Sequence, residues 1–322
     1  MTKRDPEALL QAAKEQNRVA LARLLTVVEN DEVAARGIAP LLWTGHRAFS
    51  IGITGAPGAG KSTLTDRMIA TSLERFVPAG GSAAIREVGV LCVDPTSPFS
   101  GGAILGDRVR MQDHALDARV FIRSLATRGH LGGLSLAVPD AIGVLGAAGF
   151  DLVLVETVGV GQVELEVAAT ADATIVVLTP GWGDAMQAAK AGLLEIADLF
   201  VINKADRPGA SEARRDLSQM LDIGSARPDG WRPLIVETVA TSGDGTEELF
   251  DAIDALRAHL ASGAGVARRR EQAATLLRRI YAARMARAVE GLAATATFER
   301  LVEDVATGSI DPYAAVDLLQ LP

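Results

Sequence analysis

The chain is short of most things that mark a secreted, metal-storing or nucleic-acid-binding protein. Its 322 residues include one cysteine, so no internal disulfide can form. That residue, Cys92, lies in the apolar run Val90-Leu91-Cys92-Val93 and reads as a core thiol. Histidine is scarce and scattered (His46, His114, His130, His259), which gives no Cys/His cluster for a soft metal. Aromatic residues make up only 4% and the net charge is −8, which argues against a nucleic-acid surface. No apolar stretch approaches the roughly 18 residues of a membrane span. The first residues, MTKRDPEALLQ, lack the apolar segment of a signal peptide. A soluble cytoplasmic protein is the expectation. There is no internal repeat and no low-complexity tract. What is plentiful is glycine (32) and hydrophobic residues (48%) against 22% charged, a balance that suits an α/β chain with a real core.

The most informative stretch runs from Phe49 to Thr63. It reads as a buried strand, a glycine-rich turn and a helix start. Gly55-Ala56-Pro57-Gly58-Ala59-Gly60-Lys61-Ser62 fits G-x-x-x-x-G-K-[ST], the phosphate-binding loop. Gly55, Gly58 and Gly60 let the backbone curl so that several N–H groups face one phosphate chain. The helix that follows, with Thr63 in its first turn, presents its positive end to the same anion. Lys61 adds a full charge near the β- and γ-phosphates, and Ser62 offers a hydroxyl to Mg²⁺. An ordinary glycine-rich strand–helix turn would not need the Lys-Ser pair.

Apolar runs recur at Phe49–Thr54, Val88–Val93, Val120–Ile122, Leu152–Val155, Thr174–Thr179, Leu199–Ile202 and Leu234–Val239, with helix-length segments between most of them. That alternation predicts a P-loop α/β fold, a mostly parallel sheet with helices on both faces. Ligands then belong at the carboxyl ends of the strands. Before the sheet, residues 5 to 30 read as helical. Asp5-Pro6 forms a start signal, and Leu21, Leu24, Leu25 and Val28 form a packing stripe.

Several strand ends carry acids. Asp94 closes the second run and is followed by a Pro/Gly-rich loop in which Asp107 lies. Both are candidate metal ligands, and either would also serve as a turn or helix cap. Arg108, Arg110, Arg123 and Arg128 read singly as surface arginines. Leu152-Val153-Leu154-Val155-Glu156-Thr157-Val158-Gly159 ends a buried run in an acid with a glycine three residues on. This parallels the D-x-x-G of GTP-binding proteins, with Glu156 one methylene longer than the usual acid and Gly159 placed for the γ-phosphate. Val160 stands where small signalling GTPases carry a water-positioning glutamine, with Gln162 two residues on, so unaided hydrolysis should be slow.

Asn203-Lys204-Ala205-Asp206 matches N-K-x-D, about 140 residues after the phosphate loop. A carboxylate at Asp206 accepts from both the ring N–H and the exocyclic amine of guanine, a pair that adenine lacks. Asn203 is placed to tie this turn to the phosphate loop, and the Lys204 stem to cover the base. Thr241 and Ser242, after the last strand, are a weaker candidate contact to the base. Gly243–Leu260 reads as the last core helix, Ser262–Gly265 as a hinge, and Arg268–Gly291 as a basic amphipathic helix suited to packing on a second subunit. The domain reading is a helical extension at 1–45, a nucleotide domain at 46–262 and a helical dimerisation arm at 263–322.

Taken together, GAPGAGKST, CVDPTSPFSGGAILGDRVRM, IRSLATRGHLGG, ETVGVGQ, TPGWGDAMQAAKAG and NKAD resemble the MeaB/ArgK family of GTPases over about residues 40 to 310. The resemblance implies a GTP-hydrolysing chaperone that gates adenosylcobalamin loading and protects methylmalonyl-CoA mutase or a related acyl-CoA mutase. It also implies a homodimer held by the C-terminal arm, with GTP or GDP and Mg²⁺ as ligands. Lys61 and Ser62 match the family's phosphate-loop lysine and metal ligand. Asp94, Asp107 and Glu156 match its acids near the metal, and Asn203, Lys204 and Asp206 its base motif. Asp184, Gln187 and Lys190 fall in a third switch segment that answers to the mutase. Three alternatives remain, one of them a scaffold whose nucleotide is never turned over. A metal-insertion GTPase would call for His-rich or clustered Cys/His ligands. An ATP-using transport ATPase or kinase would not need NKAD.

Overall fold

The computed structural model describes residues 5–75, 87–94, 111, 114, 116–126, 137–157, 170–181, 195–224, 227 and 229–319, the side chains of Asp94 and Ala264 aside. The chain divides into two compact units, 1–268 and 269–322.

The first unit is built on seven strands: β1 (Phe49–Gly55), β2 (Val88–Asp94), β3 (Val120–Ala126), β4 (Leu152–Thr157), β5 (Ala173–Leu178), β6 (Leu199–Asn203) and β7 (Leu234–Thr238). They form one sheet in the order β3-β2-β4-β1-β5-β6-β7, and every pairing is parallel. β1, β4, β5 and β6 are almost wholly buried, as strands covered on both faces must be. β3 runs four residues past its apolar core because Arg123 is neutralised sideways. Its Nη2 donates to Glu29 Oε2 and Thr26 Oγ1, both at 3.1 Å. That arginine is therefore a structural brace.

The period of two sorts side chains between the faces. Ile51, Ile53, Val90, Leu154, Ile175 and Val201 meet α4 (Lys61–Glu74) and α7 (Thr246–Ala261). Val153, Val155, Leu91 and Val93 meet α1 (Pro6–Lys14), α2 (Arg18–Asn30), α3 (Glu32–Trp43) and α5 (Ala137–Ala147). Val176, Leu178 and Phe200 on that second face meet Leu217 of α6 (Ala210–Ile223). The stretch 5–30 that reads as helical holds two helices, α1 and α2; α3 follows, and the three roof the sheet together with α5. Asp5, Asn17 and Asp31 cap them, each accepting a backbone N–H at 3.0–3.1 Å. Burial lifts the Asp140 carboxyl, in the first turn of α5, to about 6.

Past α7 the predicted hinge shrinks to one residue. Ser262 is extended (φ −77°, ψ −176°) and its hydroxyl bonds to His259 O. α8 (Gly263–Ala293) starts at once. So close a helix–helix junction needs Gly265, where a Cβ would run into Leu260 O. The second unit continues with α9 (Ala296–Ala306) and α10 (Pro312–Asp317). Among the described residues no helix is long and apolar enough to cross a membrane.

The feet of β5 and β6 hold a charge cluster that sequence reading does not anticipate. Asp198 is fully buried and takes the Arg268 guanidinium in a fork, 2.6 Å to each oxygen. It also accepts from Thr174 N at 2.7 Å and faces Arg227 Nη2 at 3.2 Å. Although burial opposes the charge, the Asp198 carboxylate holds the Arg268 pKa above its ordinary value. Removing Arg268 takes the forked partner from a buried carboxylate and leaves it only Arg227, at 3.2 Å. Arg268→Ala should therefore cost about 3 kcal/mol in urea unfolding at pH 7. The double change Arg268→Met with Asp198→Asn should cost clearly less. Equal losses would show that packing, and not stranded charge, carries the effect.

Candidate functional site

All the strand ends with chemistry lie on the carboxyl edge of the sheet. β1 is central, between β4 and β5, so the turn after it faces out of the crevice where the strand order reverses. Gly55 ends β1 at φ +141°, with Val177 O occupying the space a Cβ would need. The turn then rises through Ala56, Pro57 and Gly58 and closes with Ala59 N donating to Ala56 O at 3.1 Å. Gly60 (φ +90°) takes the N-cap position of α4 and offers no side-chain cap, so the first N–H groups of that helix keep their direction for an anion.

Lys61 is 6% exposed and folds back over the loop, its Nζ donating to Gly55 O at 2.8 Å and Ala56 O at 3.1 Å. The charge is thus held at the loop's rim, where a phosphate chain would pass. Thr63 is exposed on the first turn of α4. Ser62 Oγ donates to Glu156 Oε1 at 2.5 Å. The extra methylene of Glu156 therefore still brings its carboxylate to the end of the phosphate loop. With the hydroxyl hydrogen directed to Glu156, the lone pairs of Ser62 Oγ are those that can meet a cation. A hydroxyl and a carboxylate are hard oxygen donors of the kind Mg²⁺ takes. Asp94 ends β2 two residues beyond Cys92, which is in register with Glu156, so its backbone lies on the same edge. Asp107, Gly159, Val160, Asp184, Gln187 and Lys190 lie outside the described residues. Among the described residues no three His, Cys, Asp or Glu side chains gather as a metal cluster.

The base motif meets the phosphate loop directly. Asn203, 2% exposed, donates from Nδ2 to Ala59 O at 2.9 Å. Its Oδ1 accepts from Thr238 Oγ1 at 3.2 Å and from Ala240 N at 3.1 Å. Lys204 takes the left-handed conformation (φ +60°) and its Nζ donates to Gly58 O at 2.7 Å, which lays its stem alongside the loop. Ala205 N donates to Thr238 O at 3.0 Å and fixes the turn that carries Asp206, which is exposed on the edge. Thr241 and Ser242 are exposed in the neighbouring turn, where Ser242 Oγ donates to Asp244 Oδ2 at 2.7 Å. Thr238 escapes sequence reading: a threonine closing a strand has no signal beyond its place before Ala240-Thr241-Ser242. A cavity of about 50 Å³ between α3 and α5, reached by Trp43, Arg47 and Ser50, lies at the opposite end of β1 and takes no part in this edge.

Residues 21–294 match the protein-family model described as methylmalonyl-CoA mutase-associated GTPase MeaB. A protein of Pyrococcus abyssi that carries a GTPase name is 48% identical over 97% of this chain and 95% of its own. The GTPase ArgK of Escherichia coli is 37% identical over 84% of this chain and 82% of its own. Among solved structures, that of an LAO/AO transport system kinase superposes with a TM-score of 0.71 at 25% identity, covering 98% of this chain and 97% of the other.

If Asp206 reads the base, Asp206→Asn exchanges an acceptor for a donor where guanine presents N–H groups. The variant should lose GDP by at least about 10²-fold and gain xanthosine diphosphate, whose 2-position accepts. Competition titrations against GDP, XDP and ADP read this out. An unchanged order of preference would remove Asp206 from the site.

Proposed function

Because the chain belongs to the MeaB family of P-loop GTPases and so acts as a hydrolase on GTP, we propose that it is a cytoplasmic switch that serves methylmalonyl-CoA mutase or a related adenosylcobalamin-dependent acyl-CoA mutase. Its task is to gate cofactor loading and to protect the mutase. The observation that carries the nucleotide half of this reading is the Asn203 amide, which joins the phosphate loop to the base motif on one edge. That the family is named for its association with methylmalonyl-CoA mutase supports the mutase half.

In this reading Lys61 moves from the loop carbonyls to the β/γ-phosphates, and the loop N–H groups hold the chain in line. Ser62 holds Mg²⁺, with Glu156, Asp94 and Asp107 as the acids around it. When bound, the ion neutralises charge developing on the phosphate oxygens. Glu156 orients the Ser62 hydroxyl through their hydrogen bond. Gly159 offers its N–H to the γ-phosphate. Asp206 reads the guanine, and Lys204 covers it. Residues 263–322 form the arm of a homodimer. Leu277 and Tyr281, one turn apart on α8 and more than half exposed, supply an apolar stripe for it.

With Val160 in place of a catalytic glutamine, unaided turnover should be slow, on the order of 10⁻³–10⁻² s⁻¹ by analogy with unassisted GTPases. The mutase then acts through the segment around Asp184, Gln187 and Lys190 and speeds hydrolysis. Single-turnover GTP hydrolysis should rise when a cobalamin-dependent mutase is added. Lys190→Ala should lose that rise while keeping basal turnover and GTP affinity. A variant stimulated as strongly as wild type would take the coupling role away from this segment.

The arm is tested by ending the chain after Arg268, which spares the Asp198 pair. Light scattering should report a monomer that still binds GDP. A truncated chain that remains dimeric would place the interface elsewhere.

A further inference from the structure

One contact joins the phosphate-loop helix to the far side of the base site. Arg67 lies on α4, five residues past Ser62. Its Nε donates to Ala240 O and its Nη2 to Thr241 O, each at 3.4 Å. Its stem lies under Gly243, where an added Cβ would sit 3.4 Å from Arg67 Cδ. The turn it grips is closed on itself: Ser242 N and Gly243 N both donate to Val239 O, at 3.0 and 2.9 Å. On its other flank Ala240 N is held by Asn203 Oδ1 at 3.1 Å.

Two successive carbonyls are thus drawn toward α4. In a planar trans peptide the N–H points opposite to the carbonyl it follows. Pulling Ala240 O toward Arg67 therefore turns the Thr241 N–H away from α4. Guanine carries an acceptor oxygen at its 6-position, where adenine carries an amino donor. An amide donor aimed there favours the first and opposes the second.

We propose that Arg67 is a positioning residue for guanine recognition, acting through the turn after β7. By holding the Ala240 and Thr241 carbonyls it aims the Thr241 amide at the 6-carbonyl of the base. This rests on the GTPase reading above, with Thr241 as the base contact already named, and adds the arginine that sets its direction.

The test uses full-length protein, fluorescent ribose-labelled GDP, and the diphosphate of 2-aminopurine riboside, which lacks the 6-carbonyl and with it the ring N–H, each variant being compared with wild type on the same nucleotide. Arg67→Leu should release GDP about 5–10-fold faster, the worth of one well-made hydrogen bond. It should release the 2-aminopurine nucleotide at the wild-type rate. Arg67→Lys, which can still reach one carbonyl, should recover part of the loss. Arg67 is only partly buried, so both variants should keep the wild-type melting temperature. Wild-type release of GDP from Arg67→Leu overturns the proposal. So does an equal acceleration for both nucleotides, which marks general loosening of the site. Failure of the underlying reading looks different: wild-type protein would then hold GDP and ADP equally well.

Discussion

The structure of the nucleotide edge depends on one side-chain amide. Asn203 closes β6 and spends both ends of its amide group, donating to the phosphate loop and accepting from β7 and the turn after it. Being almost fully buried, it could leave none of these bonds unmade without paying for a desolvated polar group. Three loops that meet nowhere in sequence are therefore held to one geometry. Lys204, strained into the left-handed region, adds a fourth point by reaching Gly58 O.

The parallel sheet makes this economy possible. Parallel pairing brings the ends of β1, β4, β6 and β7 to one side. The strand register then sets Glu156 opposite Ile53 and Asn203 opposite Thr238. Ser62 meets Glu156 because α4 leaves β1 over the face toward which Glu156 points. The opposite edge is built for support. There Asp198 and Asp172 receive strand-start N–H groups, and Asp198 takes the arginine at the root of α8. Function and anchorage occupy the two ends of the same strands.

Much of this was legible beforehand, for reasons that differ by residue. The seven strands could be read because doubly covered parallel strands are continuous apolar runs. β3 looks shorter in the sequence than it is because Arg123-Ser124 breaks its apolar run, and nothing local says that Glu29 will neutralise the arginine. The phosphate loop and NKAD were readable because their chemistry demands those residue types at that spacing. The pairing of Arg268 with Asp198, 70 residues away, was not readable, and neither was the grip of Arg67 on the turn after β7. An arginine on an amphipathic helix looks the same whether it faces solvent or a carbonyl. Ser262–Gly265 reads as a hinge because Ser-Gly-Ala-Gly has the composition of a flexible linker. In the structure Gly265 instead lets α8 start directly against the last turn of α7.

The left-handed Gly60 has a further consequence for how damage to this protein would present itself. A Cβ there would fall on the amide nitrogen of Asn203, so the space of one residue is occupied by the side chain of the other. A substitution at Gly60 cannot act on the phosphate loop alone; it evicts the asparagine and with it the turn that carries Asp206. Lesions about 140 residues apart, in motifs conventionally assigned to different ends of the nucleotide, would thus fall into one phenotypic class. Genetically, the two motifs behave as a single locus folded in half.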